Sequence, residues 1–462
     1  MNLNYINNTI EMKERYEVLR VIFPCHLGED FRFQAPEGCR IVLFEGHLTE
    51  IRPEFAYHKL KLAWNEAICR VFIDDNKDVG LIMTLKELRK AFKDSIRVEI
   101  FDPLDHDTLD RMVSLCPCPI SVLPLKTSFF LDEDSLQDTY KMFAGKKRLS
   151  HKMFFKSIKE RFGILVDVET TDQENRKSIK ALKNKKIPGQ EFVNRGTHAL
   201  ICKRAIENVN KNFSHNPGDA SQLMRMPVDR VGARAFFLRE FIDKRLSDFG
   251  AFEDALDVND SVLFHSNCSH LLNAGLLSPR FVVEAVLRES TEMNNVEGFV
   301  RQVLGWREYM RFIYHFWGRD LKKRLIDSPG KRLDFKAWYA GTTGLVPIDN
   351  EISKCQSRAW AHHIVRLMIF MNFMIISDIR AYDIYEWFST FVSLDAQEWV
   401  MVSNIAAMGY FDRRFMSRAY VSSSNYVLKM SNYKKDGVWD VKWDDLYRKF
   451  VAKRGALGTR II

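Results

Sequence analysis

A chain of 462 residues exceeds one typical core and points to two or three domains. Its 46% hydrophobic and 28% charged residues are ordinary for a soluble globular protein, and no repeat or low-complexity tract argues otherwise. A net charge of +9 favours polyanionic partners such as nucleic acid or an anionic surface. Of the eight cysteines only Cys116 and Cys118 are close, as CxC, so cysteine spacing supports no metal site; buried thiols in a reducing, intracellular compartment are expected.

The first residues, 1–16, are polar and lack the apolar run of a secretory signal. From there the chain alternates short apolar runs with amphipathic stretches. Arg20–Phe23, Arg40–Phe44, Ile96–Phe101 and Ile120–Leu123 read as strands, and His58–Asp74 as a helix. Such alternation predicts an open α/β parallel sheet over about 15–130, with ligands beyond the strand ends. No GxGxxG is present. Residues 131–226 read as a helical and polar interdomain connection, basic at Lys146–Lys152 and with a surface linker over 167–196. From 227 to 462 the pattern is all α. Pro227–Arg230 has turn and cap character, and Val296–Trp317 carries helix spacing. Further helices are predicted near 351–376, 381–393 and 396–408. The apolar run Ile364–Ile376 is too short to span a bilayer, so no membrane is expected.

Three segments carry chemistry. Small polar residues His265, Ser266, Asn267, Cys268 and Ser269 crowd a helix start, where exposed N–H groups suit a phosphate or simply cap the helix. The run Arg301–Arg311 includes Gln302, Arg307 and Arg311 on an otherwise apolar helix, and arginines on a rigid face suit phosphate as well as solvent. Adjacent His362 and His363 lie about 100° apart on a helix and so do not chelate a metal as an i,i+4 pair would. Arg366, flanked by Leu, Met, Ile and Phe, needs an acid partner, for which Asp395 is the candidate.

Taken in order, Gly305–Tyr309 (GWREY), Ala361–Ile364 (AHHI), Arg366–Met368, Asp395 with Glu398-Trp399, Tyr420 and Ser424–Tyr426 resemble the photolyase–cryptochrome superfamily. Within it they are most similar to the prokaryotic (6-4) photolyases and iron–sulfur bacterial cryptochromes. The resemblance is strong over 227–433 and looser before. It implies an α/β antenna-type domain followed by an all-α domain holding FAD. His265–Ser269, Gln302, Arg307, Arg366, Asp395 and Met401 would line the cofactor. His362 and His363 would meet a lesion, with His363 as proton donor, and Tyr420 and Tyr426 would border it. Trp387, Tyr339 and Trp338 occupy the electron-relay positions. The implied partner is UV-damaged DNA, its lesion flipped out to reach a monomeric chain.

The departures are equally definite. The branch's four cluster cysteines fall by spacing on Pro347 and near Lys434, Gly437 and Val441, so no iron–sulfur cluster is expected. Lys434–Trp439 would hold that corner by packing. The residue facing flavin N5, acidic in the branch, is Met401 here, which cannot exchange a proton. A lumazine-type antenna is conceivable without assignable ligands. Three readings follow: light-driven repair of UV pyrimidine photoproducts, (6-4) by preference; a cryptochrome-like photoreceptor; or a DNA-binding relative without catalysis.

Overall fold

The structure is a computed structural model that describes residues 16–28, 35–124, 128–143, 145–168, 176–183, 185–409, 411–416 and 419–455. The start of the chain read for a secretory signal lies outside them except for Tyr16, as does part of the 167–196 segment.

Five parallel strands form one sheet in the order β3-β2-β1-β4-β5, with β1 Tyr16–Ile22, β2 Cys39–Phe44, β3 Gly80–Ile82, β4 Ser95–Phe101 and β5 Ile120–Leu123. Val21 sits opposite both Val42 and Ile100, so the apolar runs of the three central strands are in register. Side chains alternate across the sheet. Leu19, Val21 and Phe23 join Leu88, Phe92 and Met112 in one core. Ile22, Ile41, Leu43 and Phe101 face a second, larger core that continues through the Lys59–Asp75 helix into the helical half of the chain. Strand β3 escaped the sequence reading. It is three residues long at the sheet edge, too short to show a period.

The order reverses between β1 and β4, which opens a crevice beyond their C-terminal ends. Arg52 and Asp105 from this crevice meet Glu398, Lys322, Tyr314 and Tyr385 from the helical half in one buried network. Glu398 is fully buried, so each charge there depends on the others. This network and the shared core fix the sheet against the helices.

Two sequence expectations need correction. The predicted helix over 351–376 is two: Val346–Arg358 ends at Ala359, which takes a left-handed conformation (φ 48°), and the chain re-enters helix only at His363. His362 therefore precedes the helix and is not on it. The segment 167–196 is also not a plain surface linker. Glu240 accepts the N–H groups of Glu191 and Phe192 at 2.9 Å, Asn194 Nδ2 donates to the carbonyls of Leu223 and Met226, and Arg176 is drawn inward. The cap expected near Pro227–Arg230 is Asp229, whose carboxylate accepts from Gly232 N–H at 2.8 Å.

Candidate functional site

The helical half encloses a cavity of about 500 Å³, within the range of organic-ligand sites. Two helices supply two of its walls, and both contain π-helical turns. Met293–Val300 passes through a π turn at Arg301–Arg307 into Glu308–Ile326, and a second π turn spans Val365–Met371. Such turns insert a residue into the α register and re-aim side chains, and they occur often at functional sites. Here they deliver Gln302, Trp306 and Arg307 from one wall and Arg366, Leu367 and Met368 from the other. The left-handed Ala359 presents Trp360 and His362 to the same space. Directly beside them lies the loop 265–268, where Asn267 is itself left-handed (φ 48°).

Every cofactor-lining residue expected from the sequence borders this cavity: His265, Ser266, Asn267, Cys268, Ser269, Gln302, Arg307, Arg366, Asp395 and Met401. His362, His363, Tyr420 and Tyr426 border it too. The relay positions do not. Trp338 and Trp387 pack edge to face at 5.2 Å behind the wall, and Trp387 touches the lining residue Phe388 at 5.1 Å. Tyr339 lies one ring further out, hydrogen bonded to Thr390 Oγ1 at 2.7 Å.

The polar contacts divide into held charges and open nitrogens. Arg366 Nη1 donates to Asp395 Oδ2. Arg307 Nη1 donates to the Ser128 carbonyl at 3.0 Å, and its guanidinium lies 4.3 Å over the Phe129 ring. Burial lowers the Arg307 pKa to about 10, still charged at neutral pH. The Nε atoms of Arg307 and Arg366 are buried without a hydrogen-bond partner. Trp360 Nε1 donates to Ser269 Oγ at 3.2 Å, and Cys268 Sγ is 3.1 Å from Ser266 Oγ.

His265 stacks on His362 with centroids 4.3 Å apart, and His363 stands edge-on to His265 at 5.4 Å. Burial first, then the charge of Arg176 and Arg366, pulls the His265 pKa down to about 3. Burial and the neighbouring imidazole of His265 also hold His362 and His363 well below the usual histidine range, so all three rings are neutral at neutral pH.

Sequence reasoning missed two residues here. Glu253, wholly buried, points at His363 with Oε1 3.6 Å from Nε2, and Gln302 Nε2 donates to it at 2.5 Å. Burial raises its pKa to about 8. Arg176 reaches Glu253 at 2.8 Å and Asp254 at 2.6 Å. Neither carries a local signal: Glu253-Asp254 resembles any exposed acidic pair, and Arg176 sits in a polar stretch.

At the corner where the sequence expected packing, Trp439 and Trp443 are fully buried 6.1 Å apart, and Trp439 Nε1 donates to the Lys434 carbonyl at 3.0 Å. The eight cysteines are free, and Cys116–Cys118 is the pair that touches, at 3.4 Å.

An α/β sheet fixed to a helical half is a fold shared with solved photolyases and cryptochromes. The chain is similar in fold to a cryptochrome from Synechocystis (TM-score 0.56, 13% identity, 96% of this chain and 90% of that one). It is similar likewise to a bacterial class III photolyase from Agrobacterium tumefaciens (TM-score 0.51, 16% identity, 96% and 88%). In sequence it is 33% identical over 308 residues to a (6-4) photolyase of Agrobacterium fabrum, covering 63% of this chain and 58% of that protein. The matched part thus spans little more than half of that relative. Residues 35–224 match the family model for deoxyribodipyrimidine photo-lyase-related protein. Over residues 35–224 the chain is thus similar to the photo-lyase-related family, and its fold is that of solved photolyases and cryptochromes.

Proposed function

We propose that the protein is an FAD-dependent, light-driven DNA photolyase acting on UV pyrimidine photoproducts of the (6-4) type. The observation that carries this reading is the convergence on one cavity of a buried Arg–Asp pair, a second buried arginine and three imidazoles. The similar fold of an archaeal photolyase from Sulfolobus tokodaii, described with two FAD molecules, supports the choice of cofactor. The residues fit FAD. Arg307 and Arg366 offer unused buried N–H donors toward an anion, and Ser266, Asn267 and Ser269 add small polar groups. Bound FAD would supply an electron to the lesion on excitation.

The chain's own residues do the rest. Asp395 holds Arg366 against the cavity. Met401 offers no proton where the cofactor would lie, so proton handling falls to the histidine side. His363, on the half-open rim, is the proton donor to the lesion only after taking a proton up, since burial keeps its ring neutral otherwise, and Tyr420 and Tyr426 flank it. Trp338, Trp387 and Tyr339 are the route by which electrons enter. The same reading takes 15–130 as the antenna-type domain, 131–226 as the connection and 227–462 as the FAD domain, in a monomer without an iron–sulfur cluster. Among the described residues the crevice beyond β1 and β4 holds a cavity of about 70 Å³, smaller than the usual organic-ligand site.

The test is illumination of the reduced protein with an oligonucleotide carrying a (6-4) lesion. Restored thymines, lost in His363→Ala, support the reading. Repair that survives His363→Ala refutes the donor role. Photoreduction without repair transfers the protein to the photoreceptor class, which the Met401 and Tyr339 positions favour.

A further inference from the structure

We propose that His265, His362 and His363 form a binding site for a borderline transition-metal ion, Zn²⁺ or Cu²⁺. Spacing along one helix argued against chelation by the adjacent pair. The fold changes the premise, because His362 leaves the helix and a third imidazole arrives from a separate loop. One ligand nitrogen from each ring can be chosen so that all lie within 4.8 Å of one another. His265 and His362 are 6% and 2% exposed, and His265 Nε2 and His362 Nδ1 have no hydrogen-bond partner. A buried polar atom left this way costs roughly 1–3 kcal/mol, so two of them facing one cavity mark a place for a ligand.

Glu253 stands beside the set: its Oε1 is 3.6 Å from His363 Nε2, too far for a good hydrogen bond, and it lies outside the group whose ligand atoms are all within 4.8 Å of one another. Three protein ligands leave a fourth position open to water or another small ligand. Bringing the nitrogens from as much as 4.8 Å to tetrahedral separation, ~3.4 Å for bonds of about 2.1 Å, needs side-chain movements of about 1 Å. Three imidazoles select Zn²⁺, Cu²⁺ or Ni²⁺ over Mg²⁺ or Ca²⁺.

The site's geometry stands without the flavin reading, although His265 also lines the proposed cofactor space and all three histidines border the same cavity. One consequence rests on that reading: a metal on these nitrogens would occupy the proposed proton donor, so Zn²⁺ would suppress repair and a chelator would restore it. The experiment is done in the dark on the full-length protein as purified, with ZnCl₂ titrated calorimetrically and CuCl₂ followed by frozen-solution electron paramagnetic resonance. The expected result is one Zn²⁺ per chain, at least tenfold weaker binding in His265→Asn and His363→Asn, and no change in His215→Asn, an exposed histidine elsewhere. Should the variants not fold, wild-type Cu²⁺ must show nitrogen superhyperfine splitting. Absence of stoichiometric binding, equal binding by the histidine variants, loss of binding in His215→Asn, or a Cu²⁺ signal without nitrogen coupling overturns the proposal. A colourless protein that binds one Zn²⁺ would reject the flavin and keep the metal site.

Discussion

At the scale of single residues, the Arg366–Asp395 pair is the clearest case of the sequence announcing a site. An arginine among Leu, Met, Ile and Phe demanded an acid, and Asp395 supplies it. Removing one partner of a buried pair strands a charge and costs about 3–5 kcal/mol, whereas replacing both is far cheaper. Asp395→Asn should therefore destabilise the protein strongly, and Arg366→Leu with Asp395→Leu should recover much of that loss in urea denaturation. Additive losses in the double variant would contradict the pairing. Glu253 shows the opposite case. Nothing around it in the sequence distinguishes it from a solvated acid, because what makes it functional is contact with His363, Gln302 and Arg176 across three separate segments. Burial raises its pKa, so it favours the fold most where it is protonated. That contribution is full below about pH 4.5 and fades as pH rises toward about 8. Glu253→Gln should accordingly flatten the decline in stability between those limits, and an unchanged pH profile would contradict its burial.

At the scale of elements, the strands and helices that carry strong period or apolar runs were legible, whereas the elements that shape the cavity were not. The break at Ala359 has no glycine or proline to announce it, and the π turns at Arg301–Arg307 and Val365–Met371 leave the apolar pattern intact while shifting its register. Tertiary contacts hold these features where local propensity is silent. One such contact sets the cavity rim against the sheet. Leu27 N–H donates to the Ala274 carbonyl at 3.2 Å, and a Cβ on Gly28 would come within 1.9 Å of the Gly275 carbonyl oxygen. Gly275 is left-handed (φ 74°), which favours glycine. Gly28→Ala should push the 265–275 segment off the sheet, lowering the melting temperature by several degrees and weakening ligand retention. A variant with wild-type melting would mean that the two loops do not touch.

At the scale of the whole molecule, acid sensitivity follows from buried neutral histidines outside the cavity. His58 is pulled to about 4 and His270 to about 3, both chiefly by burial. A depressed histidine stabilises the fold above its unfolded pKa of about 6.5 and loses that contribution as pH falls toward the folded value. At pH 5 each contributes about 2 kcal/mol less than at pH 7. Denaturant midpoints should fall between pH 7 and 5, less steeply in His58→Gln; a flat profile would contradict the burial. The general plan, a parallel sheet then helices around a cavity, was readable because composition, strand period and ordered motifs agree across most of the chain. The location of the third histidine and the closure of the sheet-end crevice were not, since both arise where distant segments meet. The central claim is that the cavity of about 500 Å³ holds a flavin. The absorption spectrum of the purified full-length protein tests it most directly. Flavin bands are expected at near one FAD per chain, without a broad iron–sulfur shoulder, and should be lost when Arg307 and Arg366 are both replaced by leucine. A folded, colourless wild-type protein that takes up no added FAD would contradict it.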